Sequence, residues 1–400
     1  MEDMYVSCQF RAPSPPAAEP PRYRQVSIGR PAVAVSEEQG VLHMRSLEPL
    51  APLPQRLLDR LLHWARVRPE QTFIAAREDG GDWRRVSYGQ MLDSVRAIAQ
   101  GLLGYGLSAD KPLALLSGND IEHLQLALGA MYAGIPYCPV SPAYSLLSQD
   151  FAKLRHVCDL LQPGLVFVSD AGAYQRAIDA VLPPETPLIC VRGQVPGRRQ
   201  ASFASLLAEP GAAEADAAFA ATGPDSIAKF LFTSGSTKLP KAVITTQRML
   251  CANQQMLLQT FPVFGEEPPV LVDWLPWNHT FGGSHNVGIV LYNGGSFYLD
   301  DGKPTAQGFA ETLRNLKEIS PTAYLTVPKG WEELVNALEQ DAELRECFFK
   351  RMSLFFFAAA GLSQSVWDRL DRVAEQHCGE RIRMMAGLGM TEAAPSCTFT

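Results

Sequence analysis

Small hydroxyl residues and two lysines follow an apolar segment near the middle of the chain. Residues Ile227–Phe232 are mostly apolar and predict a strand, and Thr233-Ser-Gly-Ser-Thr-Lys-Leu-Pro-Lys241 comes directly after them. Hydroxyl groups and backbone N–H groups around a glycine can surround an anion, and lysine adds positive charge. This composition favours a polyphosphate-binding loop, although a polar surface turn between two strands is the plainer alternative. The spacing differs from the Gly-x4-Gly-Lys-Ser/Thr pattern of a Walker A motif.

Two later segments place further polar residues after predicted strands. Leu275-Pro-Trp-Asn-His-Thr-Phe-Gly-Gly283 follows the strand predicted over residues 270–274, and Gly387-Leu-Gly-Met-Thr-Glu392 follows the one over 381–385. Ligands of open α/β sheets bind beyond the carboxyl ends of the strands. The sequence therefore predicts one site, built from these loops, the central loop and the end of the apolar strand 354–360.

The elements that must position these loops alternate between strand and helix. From Pro112 onward, short apolar strands separated by helical patterns predict a mostly parallel sheet covered on both faces. The pattern occurs before and after the central loop, so we predict two α/β subdomains, residues 31–225 and 226–400. Residues 193–223 read as a loop with one or two helical turns. Proline-rich residues 1–30 predict a flexible tail, with recruitment of a partner domain as an alternative.

Composition narrows the class of protein. The net charge of -7 argues against a general nucleic-acid binder, although it does not exclude an anionic ligand. The acidic N-terminus carries no basic region followed by an apolar run, and no apolar run is long enough to span a membrane. Eight scattered cysteines form no CxxC pair or Cys/His cluster, which indicates reduced thiols and no zinc site. We expect a cytoplasmic protein without a membrane span.

The three loop segments, in this order, resemble the motifs of the adenylate-forming (AMP-binding) superfamily of acyl-CoA synthetases, luciferases and peptide-synthetase adenylation domains. This resemblance implies the acyl-CoA synthetase N-terminal domain, with two α/β subdomains that are each a mostly parallel sheet flanked by helices. It also implies ATP and Mg²⁺ as cofactors. A carboxylate would attack the α-phosphorus of ATP, giving acyl-AMP and pyrophosphate.

Several segments are similar to one branch of this superfamily, the feruloyl-CoA synthases. They are Pro276–Gly283, Tyr292–Gly295, Asp300–Pro304, Val327–Trp331 and Phe355–Gly361. The resemblance implies that a hydroxycinnamic acid, a small aromatic carboxylic acid, is activated as its CoA thioester with CoA as co-substrate. Two alternatives stay open: an enzyme that loads its acyl-AMP onto a carrier protein, and a non-catalytic nucleotide- or acid-binding remnant.

The resemblance assigns roles to individual residues. Its nucleotide-binding set is Thr233, Ser234, Gly235, Ser236, Thr237, Lys238, Lys241, Ala358, Ala359, Ala360, Gly387, Leu388, Gly389, Met390 and Thr391. Its acid-binding set is Asn278, His279, Phe281, Gly282 and Gly283. Its catalytic set is Lys241, His279, Thr391 and Glu392, with Glu392 as the Mg²⁺ ligand.

Plainer roles exist for several of these residues. Glu392 could be a solvated carboxylate or a helix cap, and His279 could be a polar loop residue. Trp277, Phe281 and Trp331 could line a pocket for an aromatic acid, with Gly282 and Gly283 leaving room for its ring, or they could simply belong to the core. His285, which no motif covers, is interpreted as structural.

The sequence departs from the superfamily pattern at several positions. Lys238 and Ala242 stand where glycine is usual, Leu388 replaces the aromatic residue that stacks on adenine, and Ala358-Ala-Ala-Gly361 replaces a Gly-Gly-Ala-Pro segment. The family continues beyond the Thr-Glu motif with a β-barrel remainder, a ribose-binding Asp and a C-terminal domain with a catalytic Lys. None of these can be located here, so we expect a fragment or a truncated form.

Overall fold

A computed structural model of the protein describes residues 20–209, 211–233, 239–305 and 307–400. Its strands, in chain order, are β1 Val33–Glu38, β2 Val41–Ser46, β3 Thr72–Arg77, β4 Trp83–Ser87, β5 Leu113–Leu116, β6 Tyr137–Pro139, β7 Leu165–Asp170, β8 Leu188–Arg192, β9 Gln200–Ser202, β10 Ile227–Thr233, β11 Lys241–Thr246, β12 Val270–Asp273, β13 Ser296–Leu299, β14 Ala323–Thr326, β15 Leu354–Ala358, β16 Arg383–Gly389 and β17 Ser396–Phe399.

The α-helices are α1 Asp59–Val67, α2 Tyr88–Leu103, α3 Ile121–Tyr132, α4 Ala143–Leu146, α5 Ala152–Leu161, α6 Ala171–Val181, α7 Phe203–Leu207, α8 Ala213–Ala221, α9 Gln247–Thr260, α10 Val263–Glu266, α11 Val287–Asn293, α12 Phe309–Glu318, α13 Pro328–Leu338, α14 Ala342–Phe349 and α15 Gln364–Cys378. A π-helical segment, Phe281–Asn286, leads into α11, and a 3-10 turn, Thr391–Ala393, follows β16.

Three sheets organise these elements, and β1 pairs with β2 in a separate hairpin. The first sheet has seven strands in the order β11-β10-β6-β5-β7-β8-β9 and is parallel except for β11. The second, β12-β13-β3-β4, and the third, β14-β15-β16-β17, are parallel except for β4 and β17. The predicted α/β fold of mostly parallel sheets flanked by helices is confirmed. The proposed division at residue 225 stays a prediction.

Both faces of the first sheet are buried, which explains why its strands are continuous apolar runs. Leu113 and Leu115 of β5 face the core that α2, α3, α9 and α11 share with the second sheet. Ala114 and Leu116 point to the opposite face, which α5 and α6 cover. A third core lies between the third sheet and helices α12 to α15. Alternate residues of each central strand therefore face different cores.

Two neighbouring polar residues after β5 have different tasks. The Asp120 side chain accepts a hydrogen bond from the His123 backbone N–H and begins α3, as its type predicts. Asn119 instead donates through Nδ2 to the Leu275 carbonyl oxygen (2.9 Å) and accepts from the Trp277 N–H (2.9 Å). Asn119 thereby fixes the turn after β12, which carries the second predicted motif.

Local patterns missed several elements whose partners are distant in sequence. The region 193–223, predicted as a loop with one or two helical turns, contains the strand β9 and two helices, α7 and α8. The pattern of residues 281–291 predicts one helix, which the structure divides into the π-helical segment and α11. β16 continues to Gly389 because β17 pairs with its end in antiparallel register. The sequence patterns did not predict the hairpin β1–β2 or the helix α14.

Part of the proline-rich N-terminal segment is tied to the rest of the protein. Residues 1–19 lie outside the described part. Arg24 donates its backbone N–H to the Arg381 carbonyl oxygen (2.8 Å) and its Nη1 to the carbonyl oxygen of Phe349 (2.8 Å). Gly29 N–H donates to the Thr260 carbonyl oxygen (2.9 Å). The segment 20–30 is thus held by backbone and side-chain hydrogen bonds, whereas a flexible tail was expected over residues 1–30.

Within the described ranges, no helix has the length and apolar character that a bilayer crossing requires.

Candidate active site

The two ends of the predicted phosphate loop are held opposite each other. Thr233, the last residue of β10, pairs with Lys241, the first residue of β11, in antiparallel register. His156 Nε2 donates a hydrogen bond of 2.9 Å to the carbonyl oxygen of Pro240, just before the chain re-enters the sheet. Lys241 is exposed at this edge. The predictions for Ser234, Gly235, Ser236, Thr237 and Lys238 lie outside the described residues.

The Thr-Glu motif lies beside the strand that leaves the phosphate loop. The 3-10 turn Thr391–Ala393 contacts β11. Asn253, on the helix that follows β11, donates Nδ2 to the carbonyl oxygens of Ala393 (3.2 Å) and Ser396 (3.1 Å). Thr391 is partly buried and Glu392 is exposed. Residues 241–260 therefore position both the return of the loop and the turn that carries Glu392.

A cavity open to solvent lies where β15 and β16 end and the turn after β12 begins its helix. Its lining is His279, Thr280, Phe281, His285, Phe356, Ala358, Ala359, Gly387, Leu388, Gly389, Pro395, Ser396 and Phe399. The tertiary structure therefore brings together predicted residues from the second motif, the 358–360 segment and the third motif. This placement agrees with the general rule for ligand sites in open α/β sheets.

The small residues at the end of β15 approach the cavity to different extents. Ala358 and Ala359 border it, whereas Ala360 is exposed and outside its lining. Ala359 has φ of 78°, a left-handed conformation that is uncommon for a residue with a Cβ. Leu388 borders the cavity with 65% of its surface exposed, and Met390 is also exposed. An exposed apolar side chain at the rim suits contact with a flat ring.

The two glycines of the second motif are required by close packing. A Cβ on Gly282 would lie 2.5 Å from the Leu275 carbonyl oxygen, and one on Gly283 would lie 2.1 Å from that of Trp277. These are backbone atoms, so a Cβ would fit only if the main chain itself shifted. Neither glycine lines the cavity, and neither does the half-buried Asn278. A role of these three residues in acid binding stays a prediction.

The aromatic residues weighed as pocket walls separate into two groups. Phe281 borders the cavity and packs edge-on against Phe356 of β15, with ring centroids 5.9 Å apart. Trp277 and Trp331 are buried in the cores, and Trp331 Nε1 donates to the Phe356 carbonyl oxygen (3.2 Å). Gly387 makes room for the Phe356 ring, because a Cβ there would lie 2.5 Å from its Cζ.

His279 is an exposed residue in the lining of the cavity, two positions before the π-helical segment. Its Nδ1 accepts a hydrogen bond of 3.2 Å from the Phe281 N–H. The neutral ring therefore carries its proton on Nε2, which is free to donate. Although part of the ring meets solvent, loss of water around the rest lowers the pKa of His279 from its ordinary value. A neutral donor here suits contact with a negatively charged oxygen.

Four residues that shape the site received no role from the sequence. His285 and Phe356 line the cavity, Asn253 fixes the Thr-Glu turn, and Lys229 is buried in β10. The sequence could have revealed Lys229, because a charged residue inside an apolar strand needs a partner. The tandem His285-Asn286, six residues after His279, was a weaker signal. Asn253 and Phe356 look like ordinary helix and strand residues, and only packing reveals their roles.

Comparisons with known proteins agree with this architecture. The sequence model of the AMP-binding enzyme family matches residues 61–400. A long-chain-fatty-acid–CoA ligase of Xenopus laevis is 23% identical over 303 residues, which cover 72% of this chain and 39% of the ligase. The chain belongs to the AMP-binding enzyme family. It spans about two fifths of the length of such curated relatives.

Two solved structures have a similar fold. One is the crystal structure of a long-chain-fatty-acid–CoA ligase from Archaeoglobus fulgidus, with a TM-score of 0.69, 18% identity and coverage of 88% of this chain and 67% of the other. The second is the adenylation domain of a keto acid-selecting NRPS module bound to a keto acyl adenylate, with a TM-score of 0.69, 18% identity and coverage of 87% and 60%. At these identities the likeness concerns the fold.

Proposed function

We propose that this chain binds ATP and a carboxylic acid and joins them as an acyl-AMP, with release of pyrophosphate. The observation that carries the proposal is the cavity itself. It lies beyond the ends of β15 and β16 and is bordered by residues of two predicted motifs, His279 and Gly387–Gly389. The turn Thr391–Ala393, which follows directly, contacts the strand that leaves the phosphate loop. Family membership supports the same assignment.

The reaction needs positioning and charge neutralisation more than proton transfer. A carboxylic acid has a pKa near 4 and is already ionised at pH 7, so no general base is required. A carboxylate oxygen forms a bond to the α-phosphorus, and the bond from that phosphorus to the oxygen bridging to the β-phosphate breaks. The main obstacle is repulsion between the carboxylate and the triphosphate, which fixed cations and donors reduce.

The chain offers donors and a cation for this task. Lys241, at the exposed end of the loop, supplies positive charge toward the phosphates. His279 presents Nε2–H at the mouth of the cavity, where the carboxylate and α-phosphate would meet. The partly buried hydroxyl of Thr391 supplies a further donor. Each of these groups would bind developing or existing negative charge without changing its own protonation state.

Glu392 could hold a magnesium ion that arrives with the nucleotide. Mg²⁺ is commonly held by one or two carboxylates together with substrate phosphates. Glu392 offers one exposed carboxylate on the turn beside β11, and within the described ranges no three ligating side chains cluster around a metal position. Glu392 would hold the ion, which when bound would reduce the negative charge of the phosphate oxygens.

The finer assignment is a hydroxycinnamic acid activated as its CoA thioester. Aromatic side chains at the cavity, Phe281, Phe356 and Phe399, suit a planar aromatic acid. The likeness to an adenylation domain of an NRPS module supports the alternative, transfer of the acyl group to a carrier protein. The fatty-acid ligases among the relatives support CoA as the acceptor and a longer aliphatic acid as a competing substrate.

The experiment supplies the folded chain with ATP, Mg²⁺ and one acid at a time, and measures acid-dependent exchange of labelled pyrophosphate into ATP. Ferulate and 4-hydroxycinnamate should support exchange, and mass spectrometry should detect the acyl-AMP. Addition of CoA then distinguishes the acceptors, because formation of a CoA thioester supports the first assignment. Acyl-AMP without thioester favours carrier loading. Absence of exchange with every acid, in a folded sample that also fails to bind ATP, would overturn the proposal.

A further inference from the structure

Two buried polar atoms on residues that line the candidate acid cavity have no partner among the described residues. His285 Nε2 and Thr280 Oγ1 are buried and make no hydrogen bond within the part of the chain that the structure describes. Both residues line the cavity. A buried polar group without a partner costs free energy, so such groups in a ligand cavity point to a polar atom of the ligand.

A chain of buried side chains fixes which nitrogen of His285 carries the proton. Asp273 Oδ1 accepts from the Leu275 N–H (2.9 Å), and Oδ2 accepts from Asn286 Nδ2 (2.8 Å). The Asn286 amide oxygen therefore faces His285 Nδ1, at 2.8 Å. Since an amide oxygen only accepts, Nδ1 must be the donor. The unpartnered Nε2 of the neutral ring is consequently a hydrogen-bond acceptor.

The orientation of the His285 ring is also fixed. The ring stacks on Phe356, with centroids 5.3 Å apart and an interplanar angle of 25°. The ring of Phe281 packs against it edge-on at 5.3 Å. Burial lowers the pKa of His285 to about 4, so the ring is neutral at pH 7. The acceptor is thus pre-positioned, and a bound ligand needs to order only its own polar group.

Two histidines at opposite ends of the π-helical segment present opposite polarities. His279 precedes the segment and offers a donor, because its Nδ1 already accepts from Phe281 N–H. His285 lies in its last turn and offers an acceptor. Both histidines border the same cavity. A hydroxylated cinnamic acid has the matching polarity, a carboxylate at one end and a hydroxyl at the other.

We propose that His285 is the specificity-determining residue of the acid cavity, and that its Nε2 accepts a hydrogen bond from a hydroxyl group at the distal end of the substrate. This inference rests on the proposed function and names the substrate class of the same site, aromatic acids with a distal hydroxyl. Asp273 and Asn286 are positioning residues that hold His285 in the accepting tautomer. An acid without the hydroxyl would leave Nε2 buried and unpaired, which is the basis of strong rejection.

The test compares two acids that differ by one hydroxyl group, 4-hydroxycinnamate and cinnamate. Their dissociation constants are measured by calorimetry on the full 400-residue chain saturated with α,β-methylene-ATP and Mg²⁺, which cannot complete the reaction. The wild-type chain should bind 4-hydroxycinnamate about tenfold to hundredfold more tightly. In His285→Phe the ring and its stacking on Phe356 are retained while the acceptor is lost. In His285→Phe the ratio of the two dissociation constants should fall to about threefold or less, because 4-hydroxycinnamate binds more weakly.

The matched control is His63→Phe, which replaces a histidine of α1 outside the cavity lining and should keep the wild-type preference. Thermal unfolding of each variant confirms that the chains are folded. Equal affinities of the wild-type chain for the two acids, or an unchanged ratio in His285→Phe, would overturn the role of His285 and leave adenylation intact. A folded wild-type chain that binds ATP but neither acid would overturn both this inference and the proposed function.

Discussion

Lys229 Nζ donates a hydrogen bond of 3.0 Å to the carbonyl oxygen of Gly283. This contact joins β10, which feeds the phosphate loop, to the π-helical segment that lies beside the acid cavity. Lys229 is almost fully buried, and the described residues provide it with no carboxylate partner. The Lys229 side chain thus connects the two halves of the site, and its burial without a carboxylate partner disfavours the charged form.

The first prediction concerns the pH dependence of stability. Burial lowers the pKa of Lys229 from 10.5 to about 7. Between these values the unfolded chain binds a proton that the folded chain has released, so the free energy of unfolding rises with pH in this window. Relative to Lys229→Met, the wild-type chain should gain up to about 1.4 kcal/mol per pH unit. Urea unfolding of both proteins at pH 7.5 and 9 measures this difference, and parallel pH profiles would contradict it.

The second prediction concerns the hydrogen-bond chain behind His285. Asn286→Leu removes the acceptor from His285 Nδ1 and leaves Asp273 without its side-chain donor. His285 should no longer favour the Nδ1–H tautomer, and the ¹⁵N NMR shifts of its ring should become those of a mixture of tautomers. The affinity for 4-hydroxycinnamate should fall several-fold while cinnamate is little affected. An unchanged ¹⁵N spectrum would mean that Asn286 does not set the tautomer.

The third prediction uses two glycines near the cavity as a matched pair. Gly387→Ala places a Cβ 2.5 Å from Phe356 Cζ, so this ring must move within the acid cavity. Gly361→Ala meets nothing within 4 Å. The first variant should weaken acid binding about tenfold or more with a modest effect on ATP binding, and the second should resemble wild type. Similar acid affinities for the two variants would argue against a substrate-contacting role of Phe356.

The fourth prediction concerns the metal. Glu392→Gln keeps the shape of the side chain and removes its charge, so the requirement for Mg²⁺ in pyrophosphate exchange should rise sharply and the rate should fall at least about a hundredfold. Glu185→Gln, at another exposed position, is the control. A titration of exchange rate against Mg²⁺ concentration measures the effect. Superimposable titrations for Glu392→Gln and wild type would remove the metal assignment.

Periodicity and turn chemistry predicted much of the scaffold because the relevant signals are local. The sequence predicts a hairpin of two strands, Thr72–Arg77 and Trp83–Ser87, around the turn Glu78-Asp-Gly-Gly81. Both strands are observed at these bounds, because adjacent residues specify such a hairpin. The extension of β16 to Gly389 was missed, because it depends on pairing with β17. The π-helical segment was also missed. Its glycines fit against carbonyl groups of Leu275 and Trp277, a contact that no local pattern encodes.

Residue types predict the class of site, because they limit what chemistry is possible: hydroxyls, glycine and lysine between Thr233 and Lys241, and a carboxylate at Glu392 within a Thr-Glu motif. Which groups share a cavity, and in what protonation state, depends on the fold. His285 is an ordinary histidine in the sequence. Its tautomer, its neutral charge and its unpaired Nε2 arise from Asp273, Asn286 and burial against Phe356, and these depend on how distant segments pack.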